Sequence, residues 1–417
     1  MIQAPRGTKD LYGQDTKAWQ WLESHIREVC NIFGFGEIRA PIFEHTELFL
    51  RGVGDTTDIV QKEMYTFNDK GGRSITLRPE LTAGVARAFI EHGLHNEPMP
   101  AKFFYTGPIF RYERPQEGRL RQHHQFGIEV FGSYEPAAEV EVMALGYFLL
   151  KRLGISDTAH LYINSLGCKS CFIEYGNRLR AFVGDNLQNM CEDCKRRFEK
   201  NPLRTLDCKV DKCKSIMASA PSVLDSLDEE CSTHFKAVQA LLTGMGIPFT
   251  VDPKIVRGLD YYTKTVFEFI AKGLPTVIGG GRYDGLVEQI GGNPIPAAGF
   301  GMGMDRLLIL LKNKGLLPAE LTMPCDIYLG HAGEKGYQKS QALTYELKNF
   351  GITAESDLLK RSVKAQMKYA GKRGAKFSMI IGDNEIAENS ARIKNMETGE
   401  QKDIALDAAE IRKELNQ

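Results

Sequence analysis

Residues 103–132, FFYTGPIFRYERPQEGRLRQHHQFGIEVFG, constrain this chain more tightly than any other stretch. Apolar and polar residues alternate on both sides of a polar, glycine-containing middle, the pattern of two antiparallel strands joined by a long loop. With a period of two, Ile109, Arg111 and Glu113 share one face of the first strand, and Gln125, Gly127 and Glu129 one face of the second. Phe126, Ile128 and Val130 point the other way. One side of the hairpin is therefore apolar, while the other gathers an arginine, two glutamates and a glutamine where an ordinary sheet would place Val or Thr. The loop sets Arg114, Arg119 and Arg121 around Pro115 and Gly118, offering guanidinium forks suited to phosphates. From the pattern alone two readings stand: a hairpin whose polar face is merely solvated, or a ligand site.

A chain of 417 residues has room for two or more domains with substantial cores. Lys plus Arg equals Asp plus Glu at 53 each, so a nucleic-acid partner would have to be met by local basic patches. The opening MIQAPRGTKD carries no apolar h-region, and no run approaches ~18 apolar residues, which predicts a cytoplasmic protein without a membrane span. Nine cysteines, an odd number, fit reduced thiols better than a disulfide framework.

Along the chain, Trp19, Leu22, Ile26, Val29 and Phe33 recur at helical spacing, and Gly34 and Gly36 end that helix. A strand over 37–43 carries Pro41, which suits an edge or a bulge. Strands at 64–67 and 74–78 flank the turn sequence Asp69-Lys70-Gly71-Gly72. Pro79 can then open a helix, leaving Glu80 and Thr82 at a strand-to-helix junction, where they either cap the helix or face a ligand. Val140, Met143, Tyr147 and Leu150 mark another core helix, and 161–164 a strand.

The segment from there to about 235 has no clear periodicity and is rich in cysteine. Cys168-x2-Cys171 and Cys191-x2-Cys194, followed by Cys208 and Cys213, could hold Zn²⁺ and staple a small inserted domain over about 168–235. Against this, the last pair is spaced more loosely than the commonest zinc knuckle, and free cysteine is often just a small buried residue. No metal ligand is assigned on this basis.

Further on stand Val256-Arg257-Gly258-Leu259-Asp260-Tyr261-Tyr262-Thr263, then a strand at 276–278 leading to a glycine-rich bend at Gly279-Gly280-Gly281-Arg282-Tyr283, then Gly299-Phe300-Gly301-Met302-Gly303-Met304-Asp305-Arg306. Glycines there allow close backbone approach to a ligand, with a helix from near Met304 presenting Arg306. Residues 314–324 read as a linker. From Cys325, strands at 326–329, 377–381, 392–396 and 403–406 alternate with helices, an α/β layout. Within it, 358–376 holds seven basic residues and no acid. Lys360, Lys364, Lys368 and Lys372 would line one helix face, with Leu359, Val363, Met367 and Ala370 on another. That stripe is either a solvated face or a surface for a phosphate backbone.

Arg111-Tyr112-Glu113 with its basic loop resembles motif 2 of the class II aminoacyl-tRNA synthetases, specifically the histidyl-tRNA synthetase family. The strand at 37–43 is similar to motif 1, residues 299–306 to motif 3, and Arg257 to Thr263 to a histidine-specific motif; Leu81 stands where the family usually has Gly. The resemblance implies an α/β (α+β) catalytic core over 1–323, with an antiparallel sheet flanked by helices, and an anticodon-binding α/β domain over 324–417. It implies that Arg111, Glu113, Arg119 and Arg306 meet ATP, with Arg111 on the α-phosphate and Glu113 near the adenine. Glu80, Thr82, Gln125, Glu129, Arg257, Tyr261, Tyr262 and Tyr283 would surround L-histidine. Arg111, Arg257 and Arg306 would be catalytic, assisted by Mg²⁺. Arg114, Gln116, Lys360, Lys364 and Lys368 would contact tRNA(His), and the protein would be a homodimer. A neutral imidazole has one donor and one acceptor, and Glu129 with a tyrosine hydroxyl can satisfy both.

Two other functions stay open. One is a regulatory paralogue that binds histidine without aminoacylation; the intact Arg257 to Thr263 string and the basic C-terminal domain argue against it. The other is a nucleic-acid-binding protein on an inactive synthetase fold, which would have no need of Arg111, Glu113 and Arg306.

Overall fold

A computed structural model describes residues 1–54, 57, 59–116, 118–200, 202–206, 208, 210–255, 257–271, 276–318 and 325–416. The chain divides into two compact units, Met1–Ala319 and Glu320–Gln417. The linker expected at 314–324, and the boundary expected within it, lie largely outside the described residues.

The first unit is built on an eight-stranded sheet. From edge to edge its strands are Gly36–Glu37, Ala101–Phe110, Gln122–Phe131, Ala297–Gly303, Ile278–Arg282, Thr263–Ala271, Ala159–Ser165 and Phe249–Val251, antiparallel except at the two outer pairs. The hairpin read from the sequence lies near one edge, with Phe104 opposite Ile128 and Ile109 opposite His123. Helices Gln14–Ile32, Pro136–Arg152, Glu229–Gly244 and Met304–Asn313 bury one face of the sheet, where Leu22, Ile26, Phe126, Ile128, Val140, Met143, Phe267 and Phe300 form the main core. On the other face a smaller core of Val85, Phe89, Tyr105, Ile109, Phe131, Tyr261 and Tyr283 leaves room for a site.

Three expectations need correction here. The strand at 37–43 is broken: Gly36–Glu37 joins the large sheet, and Phe43–His45 joins a separate sheet with Ser74–Leu77 and Tyr65–Asn68. The buried guanidinium of Arg78 holds the break open by donating to the carbonyls of Ala40 (2.8 Å) and Pro41 (3.1 Å), which therefore cannot pair in a ladder. The helix expected from Pro79 starts instead at Thr82 and runs to Glu91. Leu81 before it is buried with φ −108°, so the position does not demand glycine. Lastly, Gly279, Gly280 and Gly281 are not a bend but the middle of a central strand.

Between 168 and 228 the described residues include the helices Lys169–Asn186, Glu192–Lys200 and Asp211–Met217, with a core of their own around Tyr175, Leu179, Val183, Met190 and Met217. No helix among the described residues is long and apolar enough to cross a membrane.

The second unit is a five-stranded sheet in the order Ala354–Ser356, Ile327–His331, Phe377–Ile381, Ser390–Asn395, Gln401–Ala405, parallel over the first three strands and antiparallel thereafter. Helices Gly333–Asn349 and Ala408–Leu415 cover Leu329, Met379, Ile381 and Ile393. The basic helix is Val363–Arg373, shorter than expected, because Asp357 accepts from the Leu359 and Arg361 amides and holds 357–361 as a turn. Lys360 thus lies off the helix with φ +50° and pairs with Glu334 at 2.9 Å. Leu359 and Val363 are exposed, and Gln366 and Ala370 are the buried positions. Arg361, Arg373 and Lys376 also have acidic partners, in Asp357, Glu355 and Asp326. Among the described residues Lys364, Lys368 and Lys372 make no ion pair and are exposed.

Candidate active site

Arg111 and Glu113 lie just beyond the first strand of the hairpin, which ends at Phe110, and not within it. They keep their place because the Arg111 amide donates to Arg121 across the loop (2.9 Å) and its Nε donates to the Pro79 carbonyl (2.8 Å). Held in this way, Arg111 lines a cavity. Arg119, Gln125, Arg257, Thr276, Gly279 and Arg306 line the same cavity with Arg111 and Glu113. Arg306 is anchored from the start of its helix, with Nε on the Gly118 carbonyl (3.0 Å) and Nη1 on the Thr276 carbonyl (2.9 Å). Arg257 pairs with Glu268, whose other oxygen accepts from Thr276 (2.8 Å). Burial alone would lower the Arg257 guanidinium, but Glu268 holds it above its ordinary value. His123 also lines the cavity; burial, with Arg111 nearby, pushes its ring down to about 3, so it adds no charge at neutral pH.

Four arginines around one cavity, offset by Glu113 and Asp305 in its lining and by Glu268 paired to Arg257, make a cationic pocket suited to a polyphosphate. Within it Gln125 Oε1 and Arg257 Nε are buried and have no hydrogen-bond partner, and Glu113 Oε2 and Arg119 Nε, likewise without a hydrogen bond, face each other as an ion pair at 3.6 Å. Such atoms are costly unless something else satisfies them, so they mark where ligand atoms belong.

Glu80, Thr82, Glu129, Tyr261 and Tyr283 form a second, deeper group, with Tyr262 half-buried beside them. Glu129 is fully buried, accepting from Tyr105 (2.8 Å) and from Tyr283. The three tyrosine rings at 261, 262 and 283 pack mutually, with centroids 4.7 to 6.4 Å apart, and the Arg257 guanidinium stands 5.9 Å from the Tyr262 ring. Burial drives the Glu129 carboxyl up to about 8, against the hydrogen bonds from Tyr283 and Tyr105 that oppose the shift. Glu80 both caps and faces inward: Oε1 accepts from the Ala83 amide (2.9 Å), while Oε2 is buried without a partner. Burial likewise raises its pKa.

The residues expected near nucleotide and amino acid therefore gather on one face of the sheet, in two adjoining groups bridged by Arg257. Arg114 and Gln116 sit exposed on the loop beside the cavity. Sequence reasoning passed over Tyr105, which period-two alternation from Ile109 would have placed on the site face, and Glu268, which carries no motif signal. Away from this site two groups of potential metal ligands converge, Cys191, Cys194, Cys208 and Cys213, and Cys168, Cys171, Asp228 and Cys231; the sequence had paired the thiols only loosely and had not brought in the second half of the latter group.

A family profile described as "Histidyl-tRNA synthetase" matches residues 7–171 and 179–307, and one described as "Anticodon binding domain" matches 326–413. The chain is 51% identical over 410 residues to the histidine–tRNA ligase of Acetivibrio thermocellus, covering 98% of each chain. It is 52% identical over 413 residues to that of Clostridium perfringens, again covering 98% of each. The crystal structure of apo S. aureus histidyl-tRNA synthetase superimposes with a TM-score of 0.82 at 38% identity, covering 98% of both chains. With a fold of mixed α/β class and motifs and matches that run through both units, the chain belongs to the histidyl-tRNA synthetase family.

Proposed function

We propose that this protein joins L-histidine to tRNA(His) in two ATP-dependent steps, acting in the cytoplasm as a homodimer. The observation that carries the reading is the cavity in which Arg111, Arg119, Arg257 and Arg306 converge beside the buried Glu129 and tyrosine group.

In the first step a carboxylate oxygen of histidine attacks the α-phosphorus in line, the bond to the bridging oxygen breaks, and pyrophosphate leaves. Arg111 meets the α-phosphate and Arg257 spans that phosphate and the histidine carboxylate, so charge developing in the transition state falls between two guanidinium groups. Arg119 and Arg306 hold the terminal phosphates, and Glu113 lies at the adenine. Mg²⁺ would enter with the nucleotide and would supply neutralisation of the leaving group's charge. Glu80 Oε2 and Thr82 bind the α-amino group, Gln125 adds a contact to the amino acid, and Glu129 with Tyr262 satisfies the two imidazole nitrogens, with Tyr261 and Tyr283 packed behind.

In the second step a terminal ribose hydroxyl of the tRNA attacks the carbonyl carbon of the adenylate and AMP departs. No protein nucleophile is required, and positioning supplies much of the rate. The unit at 1–323 carries the chemistry, while Arg114 and Gln116 from it and Lys360, Lys364 and Lys368 from the unit at 324–417 contact tRNA. Because the pocket recognises its ligand by polar pairing, apolar amino acids leave buried partners unsatisfied and are rejected without an editing domain.

Histidine-dependent exchange of labelled pyrophosphate into ATP, with the other amino acids as controls, tests the reading. Exchange with histidine alone is expected. Histidine binding without exchange would favour a regulatory role instead.

A further inference from the structure

We infer that the inserted helical segment holds two structural zinc ions, one on Cys191, Cys194, Cys208 and Cys213 and one on Cys168, Cys171, Asp228 and Cys231. The inference is separate from the reaction proposed above, since neither group reaches the cavity.

The first group comes from three separate pieces of chain. Cys191 precedes and Cys194 lies within the first turn of helix Glu192–Lys200, Cys208 stands in the following loop, and Cys213 is in helix Asp211–Met217. All four sulfurs nonetheless lie within 4.8 Å of one another. Zn–S bonds of about 2.3 Å in a tetrahedron place sulfurs about 3.8 Å apart. Cys191 Sγ and Cys208 Sγ are separated by 3.8 Å. A disulfide needs about 2.05 Å, and all of these cysteines are free. The Cys191 amide donates to Cys213 Sγ at 3.2 Å, the kind of N–H contact that steadies a metal-bound thiolate.

Packing of thiols as small apolar groups does not account for this. It would require only that each sulfur meet some neighbour, not that four from three segments aim at one point. The helix EDCKRRFEK offers Cys194 and Phe198 as its only apolar residues, so burial alone anchors this helix weakly to the neighbouring core. Four protein ligands leave no open position, so the ion is structural, and a thiolate tetrad selects zinc over hard cations.

The second group is carried by its own geometry. Cys168 and Cys171 open the helix Lys169–Asn186, where the chain leaves the large sheet; Asp228 and Cys231 open Glu229–Gly244, where it returns. Cys168 Sγ lies 3.6 Å from Cys171 Sγ and 3.1 Å from Asp228 Oδ2. The Asp228 amide donates to Cys171 Sγ (3.2 Å), and Asp228 Oδ1 accepts from the Cys231 amide (2.8 Å), which fixes the carboxylate with Oδ2 toward the sulfurs. A zinc ion there would tie the two ends of the insertion together.

Metal analysis of the full chain, purified without chelator, tests both sites. Two zinc ions per chain are expected in the wild type and one in each of Cys194→Ser and Cys171→Ser. Fewer than one zinc in the wild type overturns both sites, as does iron in its place. One zinc that vanishes in Cys194→Ser overturns the second site, and one that vanishes in Cys171→Ser overturns the first. Should a variant fail to fold, cobalt titration of zinc-stripped wild type decides: thiolate-to-cobalt absorption saturating at two equivalents is expected, and a spectrum without it refutes the inference.

Discussion

The guanidinium of Arg257 occupies the space that a Cβ on Gly279 would fill. Gly279 is in a central strand with an ordinary backbone, so alanine fits the strand itself, and what must give is the far end of a flexible side chain. Gly279→Ala should therefore fold normally while displacing Arg257 from the cavity. Histidine-dependent pyrophosphate exchange is expected to fall about 10- to 100-fold, the order of one lost charge-assisted hydrogen bond. Arg257→Ala should show a loss at least as large with the fold intact. Near-normal turnover in both variants would remove Arg257 from the mechanism.

Glu129 gives a pH signature that can be read without substrate. Its carboxyl is raised to about 8 in the folded protein, chiefly by burial, whereas the unfolded chain releases that proton near its ordinary value of 4.5. Between these values the folded state binds more protons, so the stability Glu129 contributes is present at low pH and is lost as pH rises toward 8. Glu129→Gln cannot titrate and should lack this component. The difference in unfolding free energy between wild type and variant should shift by up to about 1.4 kcal/mol per pH unit over that window, measured by urea denaturation. Parallel profiles would mean that the carboxyl is ionised when buried.

The buried pair Arg282 and Glu139 is structural. Both side chains are fully buried, Glu139 also meets His234 at 2.6 Å, and Arg282 donates to the carbonyls of Ser133 (2.9 Å) and Glu135 (3.0 Å). Glu139→Ala leaves the core guanidinium of Arg282 with Asp284 (3.0 Å) as its remaining acidic partner and should cost about 3 kcal/mol in chemical denaturation, the low end for a broken buried pair. A loss under about 1 kcal/mol would show that water reaches Arg282.

These sites differ in how far the sequence discloses them. Alternation around Gln125 and Glu129 revealed a polar face in an otherwise apolar hairpin, because each strand side chain answers to one face only. Gly279 to Gly281 misled, since glycine ordinarily signals a bend. Here it marks a strand crossed so closely that a Cβ at Gly280 or Gly281 would meet the backbone oxygen of Gly299 or Thr265, while one at Gly279 would meet only the Arg257 side chain. The helices between 168 and 228 lacked a periodic apolar stripe because part of their interior is cysteine, and Arg78 breaks the strand near Pro41 from 37 residues away in sequence. Glu268 acts through Arg257, a partner outside its own strand that no local pattern reports, whereas alternation from Ile109 is enough to put Tyr105 on the site face.

The basic helix Val363–Arg373 yields the last prediction. Lys360, Arg361, Arg373 and Lys376 have acidic partners, so the segment is less starved of counter-charge than its composition suggests. The cations left over are Lys364, Lys368 and Lys372, spaced one helical turn apart and exposed. If they meet a phosphate backbone, each contact releases about 0.7–0.9 of a counter-ion, and reversing all three charges should flatten the salt dependence of tRNA binding by roughly two units of slope. Lys364→Glu, Lys368→Glu and Lys372→Glu together should weaken tRNA binding at low salt and leave pyrophosphate exchange, a tRNA-independent step, unchanged. Filter binding across a salt series checks the first outcome and the exchange assay the second. An unaltered slope would assign the stripe to solvation alone, while loss of exchange would point to a disturbed fold.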